Sequence, residues 1–145
     1  MRVGPVMVLL LGAVAAAPGA NAQDGKALFD SVCAACHQAG GVGNPGIAPP
    51  LNDAALWQRL GDRAPGYVAG VMTSGLSGMI QSGGQVYAGL VMPPQPMSDE
   101  ELAAVGSYLL GTLNQTGQAI APALIAKTRT APPSHSALQK LRKGS

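Results

Sequence analysis

The stretch Cys33-Ala34-Ala35-Cys36-His37 contains both cysteines of the chain, and it restricts the possible folds more than any other segment. Such a run serves three chemistries: a redox dithiol, part of a zinc site, or the attachment point of a covalent haem. A thioredoxin-type dithiol opens a helix within a strand-helix-strand unit, which lowers the thiolate pKa. No such alternation surrounds Cys33. A structural zinc site asks for four ligands, whereas the only other histidine, His135, stands far down the chain. Haem attachment uses all three residues together: each thiol adds to a vinyl group, and the imidazole becomes the proximal iron ligand. One turn of chain brings the two sulfurs to the porphyrin edges and the histidine under the iron.

The amino terminus agrees with that chemistry. Arg2 is followed by an apolar run from Val6 to about Ala17 and by the small residues Ala20-Asn21-Ala22. This is the pattern of a secretory signal peptide cleaved before Gln23. The run is shorter than the ~20 residues a spanning helix needs, and no later apolar run in the sequence is longer. The expected organisation is a signal peptide over 1–22, a haem domain over 23–115 and a basic tail over 116–145. The expected compartment is the periplasm, where a lone cysteine pair would otherwise form a disulfide.

Bulky side chains are scarce. Phe29, Trp57, Tyr67, Tyr87 and Tyr108 are the only aromatics, 3% of the chain, against 20 glycines and 12 prolines. A chain of 145 residues accommodates one core, and this one leaves the middle to be filled by something else. A large flat haem would fill it, and the haem-free chain is then expected to fold poorly.

Periodicity predicts a helix over about Asp24 to Ala35, with Leu28 and Val32 one turn apart beside Phe29. The Gly- and Pro-rich segment from Gln38 to Asp53 predicts a loop wrapped around something. Two short helices follow, near Asp53 to Leu60 and Ala64 to Ser74, the second with Pro65 in its first turn and Gly75 past its end. The segment "MIQSGGQVY" predicts a hairpin. Ser98 and Glu101 form a capping box, and Leu102, Val105 and Leu109 continue a helix over about Asp99 to Leu113. Beyond Asn114 the pattern dissolves into a tail with at most short helical turns.

One histidine leaves the sixth position of a haem iron open. Met72, Met79, Met92 and Met97 are the methionines beyond the signal peptide. A thioether favours ferrous iron and raises the potential. Met72 lies in a predicted helix, where core packing is the plainer role. Met92, in "GLVMPPQP", is held by two prolines without regular structure, and it is the preferred ligand over an ordinary gap-filling methionine.

Cys33-Ala34-Ala35-Cys36-His37, the "APPL" segment with Pro49 and Leu51, and "YAGLVMPP" ahead of "MSDEELAAVGSYL" together resemble a class I c-type cytochrome of the small bacterial monohaem kind. The likeness runs from about Asp24 to Asn114. Gly25, Phe29, Val105 and Tyr108 match the positions at which that family packs its first helix on its last. The resemblance implies an all-α cytochrome c fold, three to five helices around one haem c bound through Cys33 and Cys36, with an irregular C-terminal extension. It further implies that His37 and Met92 ligate iron and that the Pro49 carbonyl accepts a hydrogen bond from the proximal imidazole, Pro50 being the alternative. Leu51 would pack on the porphyrin edge. Trp57, Arg59 and Tyr87 are candidates for shielding the haem or bonding its propionates.

Two axial ligands leave no substrate position, so the expected task is one-electron transfer between a redox donor and acceptor, rather than enzymatic turnover. The alternatives are a cytochrome subunit of a periplasmic dehydrogenase or oxidase complex and, from another class, a haem enzyme or gas sensor with an open sixth position. No distal His-Arg pair of the kind peroxide chemistry favours is present. From Gln23 to Gln115 three basic residues oppose seven acids, a net −4; from Thr116 onward there are five basic residues and no acid. A basic tail of this kind would strap a partner, return to the acidic body, meet anionic lipid or stay solvated. Nucleic acid is not expected in this compartment, and His135 is expected to be a bystander.

Overall fold

The computed structural model describes residues 22–89 and 91–144. The expected signal peptide, apart from Ala22, lies outside them.

The first helix is one rod with a widened middle: α1 (Ala22–Leu28), a π turn (Phe29–Cys33) and α2 (Ala34–His37). The amide of Ala34 reaches back to the Phe29 carbonyl, the five-residue step of a π turn. Such turns recur at functional sites because they re-aim the residues that follow. Here those residues are Cys36 and His37. The last helix of the expected domain repeats the device, with α5 (Asp99–Ser107) running into a π turn over Tyr108–Leu113. Ser98 accepts the Glu101 amide at 3.1 Å while Glu101 accepts the Ser98 amide at 2.8 Å, which is the predicted capping box.

These rods cross tightly because Gly25 has no side chain. A Cβ there would lie 2.2 Å from the Ala104 carbonyl oxygen and 2.9 Å from Tyr108 Cβ. The close approach lets Phe29 and Tyr108 pack tilted, with ring centroids 5.5 Å apart, an arrangement worth about 1 kcal/mol beyond burial. Gly25→Ala gains up to ~1 kcal/mol of helix propensity, but it drives the new methyl into backbone, which cannot rotate away. The expected net loss is about 2 kcal/mol, read as a lower melting temperature. An unchanged melting temperature would contradict this helix crossing.

Between the rods lie α3 (Ala54–Leu60) and α4 (Ala64–Ser74). Asp53 caps α3 by accepting the Leu56 amide at 3.1 Å, and its other oxygen accepts the Ser82 hydroxyl at 2.7 Å. That second bond ties the helix to the predicted hairpin, β2 (Ile80–Ser82) against β3 (Gln85–Tyr87), which turns at Gly83 and Gly84. A second antiparallel pair joins β1 (Leu76–Ser77) to β4 (Val91–Met92), with Leu76 opposite Met92.

The tail differs from the sequence expectation. It forms α6 (Pro122–Thr130) and α7 (His135–Lys143), and both pack on the body. Ile120, Ile125 and Leu138 are 4%, 0% and 0% exposed and belong to the main core. Their seats are glycines: a Cβ on Gly106 would lie 2.5 Å from Ile120, and one on Gly70 would lie 2.7 Å from Leu138 and 2.8 Å from Pro133. Polar contacts fix the path. Ser107 exchanges hydrogen bonds with the Ile120 backbone, and Arg129 pairs with Asp99 at 2.6 Å. His135 is an anchor rather than a bystander: its Nε2–H donates to the Ser74 carbonyl at 3.0 Å, and its Nδ1 accepts from the Ser77 hydroxyl.

Candidate haem site

A cavity of about 450 Å³ opens between the first helix, the 38–52 loop, α4 and the strand region. Cys33, Cys36, His37, Pro49, Leu51, Trp57, Tyr87 and Met92, eight of the sequence candidates, line it together. Apart from the two thiols, His37 and Arg142, the described residues of its walls carry no ionisable group but the phenols of Tyr67 and Tyr87. A large flat apolar group with a charged fringe suits such walls.

The loop holds the histidine. Gly43 adopts φ +82°, and a Cβ there would lie 2.6 Å from the Pro50 nitrogen, so the chain folds tightly back on itself. Its amide bonds the His37 carbonyl at 2.8 Å, while Leu51 and Asn52 both bond the Gly41 carbonyl. This pinning brings the Pro49 carbonyl to 2.9 Å from His37 Nδ1. Since a carbonyl only accepts, Nδ1 carries the proton and Nε2 keeps a free lone pair. His37 is only 7% exposed.

Burial also holds His37 below the ordinary histidine range, with the Pro49 bond offsetting part of the shift. The unfolded chain therefore binds the proton first as the pH falls, so the contribution of neutral His37 to stability is complete above about pH 6.5 and declines below it.

Burial raises the Cys33 thiol to about 11, with Cys36 adding to the rise. Reactive dithiols need the opposite shift. The two sulfurs are free of each other, Cys33 half-buried and Cys36 exposed, as attachment to an outside group requires.

Met92 is held on three sides. β4 pairs it with Leu76, and Gly75, at φ +74°, makes room for its carbonyl, which a Cβ would approach to 2.4 Å. The Gln95 amide bonds the Met72 carbonyl at 2.8 Å and fixes the prolyl segment. Met72 also reaches the cavity, but it is a core residue, 6% exposed, whose methyl faces Gly106. Met79 is 62% exposed, and neither it nor Met97 lines the cavity.

Two candidate roles change. The Trp57 indole N–H donates to the Leu51 carbonyl at 2.9 Å, so the ring walls the cavity with its donor engaged. Arg59 does not line the cavity; it lies on the exposed outer face and donates to the Arg142 carbonyl at 3.0 Å. The guanidinium at the cavity is that of Arg142, which donates to the Tyr67 hydroxyl at 3.2 Å. Sequence reading passed over both Arg142 and Tyr67. A basic residue one turn after Leu138 gave only a weak hint.

The cytochrome c family profile matches residues 22–113. One cytochrome c-552 of Thermus thermophilus is 37% identical over 103 residues, covering 70% of this chain and 65% of that protein. A second Thermus thermophilus cytochrome c-552 is 36% identical over 88 residues, covering 59% and 65%. Cytochrome c-551 of Stutzerimonas stutzeri is 32% identical over 106 residues, covering 72% and 92%. The matched region spans about two thirds of the length of the Thermus relatives. The chain belongs to the cytochrome c family, whose members carry covalently attached haem c, and its mainly helical fold is the fold of that family.

Proposed function

We propose that the chain is a periplasmic one-electron carrier with a single haem c. Cys33 and Cys36 hold the group through thioether bonds, His37 Nε2 and Met92 Sδ are its iron ligands, and Pro49, Leu51, Trp57 and Tyr87 line it. The group supplies an iron that cycles between ferric and ferrous. The chain's residues orient the imidazole, keep it neutral and exclude water. The observation that carries this reading is the His37–Pro49 hydrogen bond: it commits one ring nitrogen and leaves the other in a cavity that both thiols and a proline-braced methionine share.

Donor and acceptor are redox proteins. Val32, Ile47 and Val91 are 39%, 52% and 64% exposed beside the cavity, an apolar rim suited to transient docking. Because the apolar residues of the tail are engaged in its own core, the free carrier is favoured over a fixed subunit of a dehydrogenase or oxidase complex. Among the described residues no helix is long and apolar enough to cross a membrane.

Expression in a periplasm equipped for haem attachment tests the reading. The expected product keeps its haem on a denaturing gel, titrates as one electron at a positive potential and shows the weak red band of methionine sulfur on ferric iron. Haem that leaves on denaturation would overturn covalent attachment. A missing red band would overturn the Met92 assignment and bring forward the enzyme or gas-sensor alternative.

A further inference from the structure

The strand that carries Met92 is weakly built. β1 and β4 are 2 residues long each, and a pair of strands that short is marginal in water. Val91 is 64% exposed, and the prolines that follow, Pro93, Pro94 and Pro96, have no amide to donate. The placement of β4 therefore leans on β1, where Leu76 faces Met92 and Ser77 faces Val91. Tail helix α7 grips that strand with three hydrogen bonds: His135 Nε2–H donates to the Ser74 carbonyl at 3.0 Å, the Ser77 hydroxyl donates to His135 Nδ1, and the Gln139 side-chain amide donates to the Ser77 carbonyl at 3.0 Å. His135 and Gln139 stand one turn apart and so share a face of the helix. The grip is itself anchored, because Ser134 caps α7 by accepting the Ala137 amide at 3.2 Å and Leu138 is seated on Gly70. Gly78 leaves room for Gln139, since a Cβ there would lie 3.2 Å from its amide nitrogen.

We propose that His135 and Gln139 are positioning residues for the sixth-ligand strand: α7 latches β1, β1 holds β4, and the latch keeps the Met92 side chain in the cavity. This inference rests on the reading of Met92 as an iron ligand. α7 lies wholly past residue 113, where the match to the family profile ends, so the latch belongs to the extension and not to the matched domain. Neither His135 nor Gln139 lines the cavity, and their effect therefore passes through β1. Segments of a folded chain open locally at free energies below that of global unfolding, and those with few buried contacts open first. A strand pair this short and exposed is such a segment. Each latch bond favours its closed arrangement, and losing the bonds raises the open population while the core helices stay packed.

The test uses the haem-loaded full chain carrying His135→Ala, Gln139→Met or both, with Ile125→Ala as a control that weakens the packing of α6 on α4 and α5 without touching β1. Two rates are read: amide hydrogen exchange in β1 and β4, and the binding of cyanide to the ferric protein. In the second, the Met92 sulfur leaves with its electron pair and cyanide donates its own in its place, so the iron stays ferric and the rate follows the opening of the strand. The double variant is expected to speed both by at least about tenfold and Gln139→Met alone by about fivefold, the net worth of one hydrogen bond being a factor of that size. Ile125→Ala is expected to lower the melting temperature and leave both rates near wild type. Latch variants that leave either rate at its wild-type value, or an Ile125→Ala variant that speeds both equally, would overturn the proposal and leave the contacts merely structural. Should the double variant fail to accumulate, Gln139→Met decides, because it removes one donor and keeps a side chain of similar length. A wild type without the red sulfur band overturns the Met92 reading instead, and amide exchange in β4 alone then decides whether the tail latches that strand.

Discussion

Met92→Ala is expected to abolish the red charge-transfer band, to lower the midpoint potential by about 0.2 to 0.4 V, part of the roughly 0.8 V that axial ligands span, and to open the ferrous form to carbon monoxide. The prediction is sharp because the surrounding chain should survive the change. β4 is held by its pairing with β1, and the prolyl segment by the Gln95 bond to the Met72 carbonyl; neither uses the Met92 side chain. No substitute thioether is at hand either. Met72 is buried within α4 with its methyl turned to Gly106, and Met79 and Met97 do not line the cavity. If the variant keeps its red band and potential, another residue is the ligand. If the wild type itself binds carbon monoxide readily, the sixth position is open and the electron-carrier reading gives way to a haem enzyme or gas sensor.

Local chemistry was the legible part of this sequence. Cys33, Cys36 and His37 carry their geometry in their spacing, Asp53 and Ser98 announce helix starts, and Gly83-Gly84 between Ile80 and Tyr87 marks a hairpin. These signals are short-range, and the backbone needs no distant information to obey them. The tail was illegible for the opposite reason. Each of its helices offers only two large apolar residues, Leu124 and Ile125 in α6 and Leu138 and Leu141 in α7. Their partners are gaps on other helices. Gly70 and Gly106, interior helix glycines that cost propensity, were the available clue, since such residues usually mark close packing. The two arginines show the same limit: Arg59 is nearer the motif in sequence, but the fold turns it outward and carries Arg142 inward.

Deleting residues 116–145 is therefore expected to damage the body and not merely to trim it. Burial of Ile120, Ile125 and Leu138 contributes roughly 1.5 to 3 kcal/mol each at most. The ordering entropy of the tail offsets part of that, but deletion also bares the seats on α4 and α5, where Gly70 and Gly106 are otherwise covered. A net loss of about 3 kcal/mol corresponds to a fall of roughly 12 to 24 °C in melting temperature for a domain this small. Leu138→Ala is the single-residue counterpart, expected to cost about 2 to 5 kcal/mol as a buried leucine on a rigid glycine seat. A solvated tail or a strap reserved for partners predicts neither effect. Differential scanning calorimetry of the oxidised holoprotein separates the cases, because a tail that only docks partners would leave the melting temperature of the isolated protein where it was.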